Sequence, residues 1–378
     1  MIMKQFRADK LSALGLGCMR FPLVEGTENV IDESATAEMF DWAMEHGINY
    51  YDTAWPYHSE QSEIITGKLL RRYPRDSYRI ATKFPGFETE YFEQGEAIFE
   101  KQLEKTGMEY FDYYLLHNIC ESNIDNFLSE QYGILPMLLK KKAEGKIRHL
   151  GFSTHGSLQN MEQFLNACGE HMEFCQIQLN WLDWELQDAK AKVELLKKYN
   201  MPIWVMEPVR GGKLANLSAE AEQTLKALRP DTTIPAWSFR FLQNIPEVTM
   251  VLSGMSNMEQ LQDNVNTYQT EEPLNEQEWN ALQEIAKGMV GGVPCTTCRY
   301  CVDSCPQNLD IPLLLRYYNE QNYNGSKQAP LALRSMPEEK HPSACVGCRT
   351  CEDKCPQNIK IADIMKDHAS KMFAPVEE

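Results

Sequence analysis

The chain has 378 residues, 43% of them apolar, which suits one large domain followed by a small one. No apolar run approaches the ~18 residues of a membrane span, and the N-terminal Met-Ile-Met-Lys-Gln-Phe-Arg has no apolar stretch with a cleavage site behind it, so neither membrane insertion nor secretion is expected. A net charge of −17 repels polyanions and argues against nucleic acid or an anionic membrane as a partner.

Eight short, mostly apolar segments read as strands buried on both faces: Leu11–Leu16, Ile48–Asp52, Tyr78–Lys83, Tyr113–His117, Arg148–Phe152, Phe174–Leu179, Ile203–Met206 and Thr249–Ser253. Helical spacing lies between them. Ala35–His46 places Met39, Phe40, Ala43 and Met44 on one face, and Phe92–Thr106, Ile124–Glu144, Leu158–Ala167 and Leu186–Tyr199 behave alike. Gly47, Gly107 and Gly145 follow three of these segments, where a helix end favours a residue tolerant of positive φ. Eight strand–helix repeats predict an α/β fold, a (β/α)8 TIM barrel over residues 1–287. A doubly wound sheet is the alternative, disfavoured because no Gly-x-Gly-x-x-Gly opens the first helix. After Trp279–Ala286 the run Gly288-Met-Val-Gly-Gly-Val-Pro294 punctuates the chain, and a small domain is expected over residues 288–378.

Asp52 ends the second strand, Tyr57 lies in the loop after it, Lys83 closes the third strand and His117 closes the fourth. Barrel enzymes carry their chemistry at these strand ends. Any one of the four is as readily a structural ion pair or a rim residue, but four in register form a constellation. Asp52-Thr-Ala-Trp-Pro-Tyr57, Ala81-Thr-Lys83, Leu115-Leu-His117 and Gly145-Lys-Ile-Arg-His-Leu-Gly-Phe-Ser153 resemble the aldo-keto reductases, a resemblance that spans roughly residues 10–270. It implies that Tyr57 is a general acid, that Lys83 and Asp52 tune it, and that His117 orients a substrate carbonyl. The chemistry is coherent. A free phenol has a pKa of ~10, an adjacent ammonium lowers it, and an oxygen gaining negative charge would sit between Tyr57 and His117.

The same resemblance implies NAD(P)H as cofactor. Ser153 and Gln176 match positions that hold the nicotinamide carboxamide, Thr154 stands where asparagine is usual, and Met206 where a tyrosine commonly stacks. The loop Glu207-Pro-Val-Arg210-Gly211-Gly-Lys213 approaches the diphosphate. Ser253, Gly254, Gln260 and Asn264 match the adenosine end, where many members carry a cation for a 2′-phosphate. Gly254, Met255 and Gln260 supply none, so no strong preference for NADPH over NADH is expected. Trp55, Tyr91, Phe92 and Trp181 are candidate pocket walls.

Eight of the twelve cysteines lie after residue 294. Cys295-x2-Cys298-x2-Cys301-x3-Cys305-Pro306 is repeated as Cys345-x2-Cys348-x2-Cys351-x3-Cys355-Pro356, and the residues that follow agree as well, Gln307-Asn308-Leu309 and Gln357-Asn358-Ile359. The pattern points to metal ligation in a reducing compartment, hence a cytoplasmic protein. Zinc ribbons use paired Cys-x2-Cys and explain it poorly. The spacing is similar to that of bacterial ferredoxins with two [4Fe–4S] clusters. That resemblance implies one cluster on Cys295, Cys298, Cys301 and Cys355 and another on Cys345, Cys348, Cys351 and Cys305. Cys18, Cys120, Cys168 and Cys175 read as packing.

Nicotinamide delivers two electrons as hydride, whereas a cluster takes one at a time, so direct transfer between them would pass through an unfavourable radical. Three readings follow, of which an oxidoreductase is favoured. The barrel reduces a carbonyl and the clusters serve fold or assembly. Or the clusters carry electrons between a ferredoxin or flavoprotein partner and a substrate or flavin at the barrel mouth. Or the chain is a non-enzymatic electron carrier with the barrel as scaffold.

Overall fold

The computed structural model describes residues 1–27, 30–289, 292–293, 295, 301–302, 304–322, 328–355 and 357–372. Cys298 and Pro356 of the repeat, and Val290, Gly291 and Pro294 of the expected boundary, lie outside the described residues. The chain divides into two compact units, Met1–Gln283 and Glu284–Glu378.

The first unit starts with an antiparallel hairpin, β1 (Met3–Phe6) and β2 (Asp9–Ser12). Eight parallel strands then close into a barrel: β3 (Leu14–Gly17), β4 (Tyr50–Asp52), β5 (Arg79–Phe84), β6 (Phe111–Ile119), β7 (Ile147–Thr154), β8 (Cys175–Gln178), β9 (Ile203–Met206) and β10 (Val248–Ser253). They neighbour one another in sequence order, and β10 returns to pair with β3. This is the predicted TIM barrel, with one correction at its start. The apolar run Leu11–Leu16 is split, since Asp9–Ser12 turns back onto β1 and only Leu14–Gly17 enters the barrel. Three expected helices are also broken. Phe92–Thr106 becomes Thr89–Glu93 and Gly95–Thr106; Ile124–Glu144 becomes Ile124–Leu128 and Ile134–Ala143, entered through Gly133 at φ 60°; Leu186–Tyr199 becomes Asp183–Leu186 and Ala189–Lys198 across a left-handed Asp188.

Large side chains fill the barrel interior, among them Tyr50, Tyr113, Phe174, Trp204 and Met250. Gly151 has to be bare, because a Cβ there would lie 2.6 Å from the Phe174 ring and its carbonyl oxygen. The hairpin seals the foot. Phe6 reaches in to meet Trp204 at 4.9 Å and His149 at 5.2 Å between ring centroids. Around it runs a lattice of charges. Asp9 accepts from Arg79 (2.8 Å) and from the Tyr113 hydroxyl (2.9 Å), and buried Asp112 accepts from Arg75 (2.7 Å) and Arg148 (3.0 Å).

Glu173 belongs to this lattice, with Lys142 Nζ at 2.7 Å and His149 Nδ1 at 2.9 Å. Burial pushes its carboxyl up, but the hydrogen bonds from His149 and Lys142 outweigh it and hold the group down to about 2. A carboxyl lowered by folding stabilises above its unfolded pKa, and that stability drains away as pH falls toward the folded value. Glu173→Gln should therefore lose less stability than the wild type between pH 5 and pH 3, by about 2 kcal/mol. Urea midpoints of the barrel at the two pH values check this, and parallel falls in the two proteins would remove Glu173 from the lattice's acid sensitivity.

Among the described residues no helix is long and apolar enough to cross a membrane. The second unit carries helices Ile311–Asn322, Gln328–Arg334, Thr350–Asp353 and Ile361–Lys371. Its core is small: Leu309, Ile311, Leu314, Leu315, Ile359, Ile361 and Met365 surround Cys301 and Cys351, with Cys295, Cys305, Cys345 and Cys355 packed at the edge. The sequence repeat is also a structural one. Asn308 and Asn358 both take φ near +50°, each N–H bonds back to the carbonyl of the last cysteine of its group (3.0 and 3.1 Å), and a helix starts three residues on.

Candidate active site and cluster-ligating cysteines

Strand register places the catalytic candidates. Asp52 pairs with Ala81 and Lys83 with Leu115, so Lys83 and His117 each lie two residues beyond a paired position and face the same way. Lys83 Nζ donates to Asp52 Oδ2 at 2.6 Å, to the Thr53 carbonyl at 2.8 Å and to the Tyr57 hydroxyl at 3.4 Å. The His117 ring stands edge-on to that of Tyr57, centroids 6.1 Å apart. The four residues named from the sequence meet at one place.

The electrostatics differ from the expectation in one respect. Burial pushes the Tyr57 phenol above its usual value; Lys83 pulls it down, but by less. Burial opposes the Lys83 ammonium too, yet Asp52 and Tyr57 together hold it above the ordinary lysine value. Burial likewise raises Asp52, with Lys83 drawing it back. The pair titrates as a unit with the lysine charged. Burial, reinforced by Lys83, holds His117 well below 6.5, so the imidazole is neutral; its Nδ1 is buried with no hydrogen-bond partner among the described residues. Phe87, half-exposed, packs edge-on to it at 5.0 Å.

The loop carrying Tyr57 is held by residues that sequence reasoning passed over. His58, Ser59 and Glu60 are three successive non-glycine residues with φ of 50°, 50° and 71°. The Phe21 N–H donates to His58 Nε2 at 2.9 Å, and the two rings stack at 5.3 Å. Ser62 Oγ donates to the Cys18 carbonyl at 2.6 Å, and buried Glu63 accepts from Thr82 (2.6 Å) and Gln102 (2.7 Å). The Ser62-Glu63 pair opening a helix was the available signal. Cys18 itself is fully buried, and burial pushes its thiol up to about 12, which makes it packing rather than a nucleophile. Among the candidate pocket walls, Phe92 packs on Phe84 and Phe127, and Trp181 donates to Ser238 in the core. Trp55 and Tyr91 approach each other at 6.0 Å near the Tyr57 loop.

The nucleotide candidates separate into two groups. Ser153 and Gln176 are register partners on β7 and β8, and Gln176 Oε1 is buried without a hydrogen-bond partner among the described residues. Thr154 is committed elsewhere, since its hydroxyl donates to the Ile119 carbonyl (2.7 Å) and accepts from the Gly156 N–H (3.0 Å). Arg210 is committed too: its Nε lies 3.0 and 3.1 Å from the two oxygens of buried Asp183. Gly211 is left-handed, Asn264 donates to Ser253 at 3.1 Å, and Gln260 Oε1 accepts the Ser256 N–H at 2.8 Å beside the Asn257 helix cap. A residue not singled out in the sequence stands among them. Arg20, exposed beyond β3, runs its side chain along Gly254 toward Gly211.

In the second unit Cys305 lines one cavity together with Cys345, Cys348 and Cys351. This brings the fourth cysteine of the first group to the first three of the second. Among the described residues no three such ligands converge on a single ion. An all-sulfur set spread around a cavity fits a cubane cluster better than a point ion. Cys295, Cys301 and Cys355 are the described members of the other set that the resemblance to ferredoxins implies.

The chain matches the aldo/keto reductase family over residues 13–287 and the 4Fe-4S dicluster domain over residues 294–359. It is 27% identical over 310 residues to an uncharacterised oxidoreductase, YqkF, of Bacillus subtilis, covering 73% of this chain and 93% of that protein. It is 23% identical over 305 residues to an NADH-specific methylglyoxal reductase of Escherichia coli, covering 68% and 89%. An aldo-keto reductase from Klebsiella pneumoniae, solved in complex with NADPH, shares the fold with a TM-score of 0.59 at 21% identity, covering 76% of this chain and 96% of that one. Two of these three descriptions name a nicotinamide nucleotide, and a flavin finds no support among them.

Proposed function

Since the chain belongs to the aldo/keto reductase family and carries a fused 4Fe-4S dicluster domain, we propose that its barrel interconverts a small carbonyl compound and the corresponding alcohol at Tyr57, with a nicotinamide nucleotide as redox cofactor. The observation that carries this reading is the closed set Asp52–Lys83–Tyr57, with His117 standing across from the phenol. Ser153 and Gln176 would hold the carboxamide, whose N–H supplies the donor that Gln176 Oε1 lacks. The nucleotide, when bound, supplies or accepts hydride. The protein's part is the proton. A phenol kept above its usual pKa stays protonated through the neutral range and is ready to donate as a carbonyl oxygen gains charge. Neutral His117 orients that oxygen, and Lys83, fixed by Asp52, stabilises the phenolate left behind.

The clusters are redox groups of a different kind, and no direct exchange between nucleotide and cluster is part of this proposal. NADPH is expected to hold no strong advantage over NADH. The test uses full-length protein prepared anaerobically, with methylglyoxal as a probe carbonyl and each nucleotide in turn. Tyr57→Phe should lower turnover by at least about a hundredfold, while dithionite still bleaches the cluster absorbance. A variant that keeps wild-type turnover would overturn the assignment.

A further inference from the structure

An NAD(P)H molecule carries about two to four negative phosphate charges into the mouth of a protein whose net charge is −17, and some cation has to meet them. Two obvious ones are already closed on carboxylates, Lys83 on Asp52 and Arg210 on Asp183. Arg20 is different. It is exposed, two residues past Cys18 in the loop after β3, and among the described residues no carboxylate lies within 4.0 Å of it as an ion pair.

Its position is built by two glycines. A Cβ on Gly254, in the loop after β10, would lie 3.2–3.3 Å from Cβ, Cγ and Cδ of Arg20, so the bare backbone there leaves a trough for the arginine stem. At the far end, a Cβ on Gly211, in the loop after β9, would come within 3.7 Å of Arg20 Nη2 and 3.6 Å of Glu207 Oε2. Gly17 abuts Ser253 in the same way, its Cβ position being 3.2 Å from the Ser253 carbonyl, so the loops after β3 and β10 are packed backbone to backbone. The guanidinium is thereby carried from the loop of one strand to the loops of two others, which the sequence matches to the diphosphate and adenosine ends of the nucleotide.

We propose that Arg20, rather than Arg210, is the cation that binds the diphosphate of the nicotinamide nucleotide, laid across the mouth by Gly254 and aimed at the Gly211 turn. The planar fork of donors suits two phosphate oxygens at once. Glu207 is the neighbouring carboxylate, near enough for Arg20 to draw its carboxyl down against the upward push of burial, though not paired with it. The inference rests on the nucleotide reading of the barrel, and its test separates the two. Binding of NADH, NADPH, ADP and adenosine to the full chain is followed by calorimetry, with no turnover required. Arg20→Met should weaken NADH, NADPH and ADP alike, by about tenfold or more, and leave adenosine unchanged. Arg20→Lys should recover part of the loss. If Arg20→Met holds both nucleotides as tightly as the wild type, the assignment is overturned. If the loss is confined to NADPH, Arg20 serves the 2′-phosphate instead and the diphosphate assignment is equally overturned. A wild-type protein that binds neither nucleotide would bring down the underlying reading, and this inference with it.

Discussion

Replacing Lys83 by methionine is expected to abolish carbonyl reduction and to cost the barrel about 3–5 kcal/mol of stability, the range for breaking a buried ion pair from one side. Lys83 is fully buried and its ammonium has three recipients: Asp52, the Thr53 carbonyl and the Tyr57 hydroxyl. Without it Asp52 is a buried carboxylate with no cation, and the Thr53 carbonyl loses its donor. Asp52 then escapes by taking a proton. Its folded pKa, already raised by burial, rises further, and a carboxyl that holds its proton more tightly when folded loses stability as pH climbs past the unfolded value. The penalty in Lys83→Met should therefore be larger at pH 8 than at pH 5. Adding Asp52→Asn should restore most of the stability and none of the turnover, since the phenol's partner is still missing. Denaturant midpoints of the three proteins at both pH values, read beside turnover, decide the matter. A single variant as stable as the wild type would mean that the pair is not closed in solution.

The second large effect concerns which cysteines belong together. With Cys305 placed beside Cys345, Cys348 and Cys351, each cluster is expected to take three ligands from one group of four and one from the other. Two double variants discriminate. Cys305→Ala with Cys345→Ala damages one site twice and should leave about half of the iron, whereas Cys305→Ala with Cys301→Ala damages both sites and should leave little. Local pairing predicts the reverse order. Iron and sulfide content of anaerobically purified protein is the measurement. The variant that loses both clusters should also unfold the second unit, whose apolar core is small and packed around these same cysteines.

Much of this was legible from residue order. Barrel strands are apolar on both faces, so their runs stand out, and strand ends mark where chemistry collects. Asp52, Lys83 and His117 could therefore be named before any distance was known. The cysteine repeat was plainer still, because ligand spacing is a covalent constraint. What stayed hidden depends on burial and on partners far along the chain. The β1–β2 hairpin is short and charged, Met-Lys-Gln-Phe and Asp-Lys-Leu-Ser, and carries no strand pattern of its own. Arg210 looked free for a phosphate until Asp183, 27 residues earlier, was found against it. The sequence also implied that Lys83 lowers Tyr57, which it does, but only the folded protein reveals that burial outweighs it. Arg20 was overlooked because the glycines that direct it sit in loops about two hundred residues away.

With the hairpin and Phe6 stoppering its foot, the barrel has one door. Whatever reacts beside Tyr57 must arrive and depart through the rim where the strands end, and so must any nucleotide lying across that rim. Two visitors sharing a single door have to queue. The rim is therefore where any order of entry and departure has to be set.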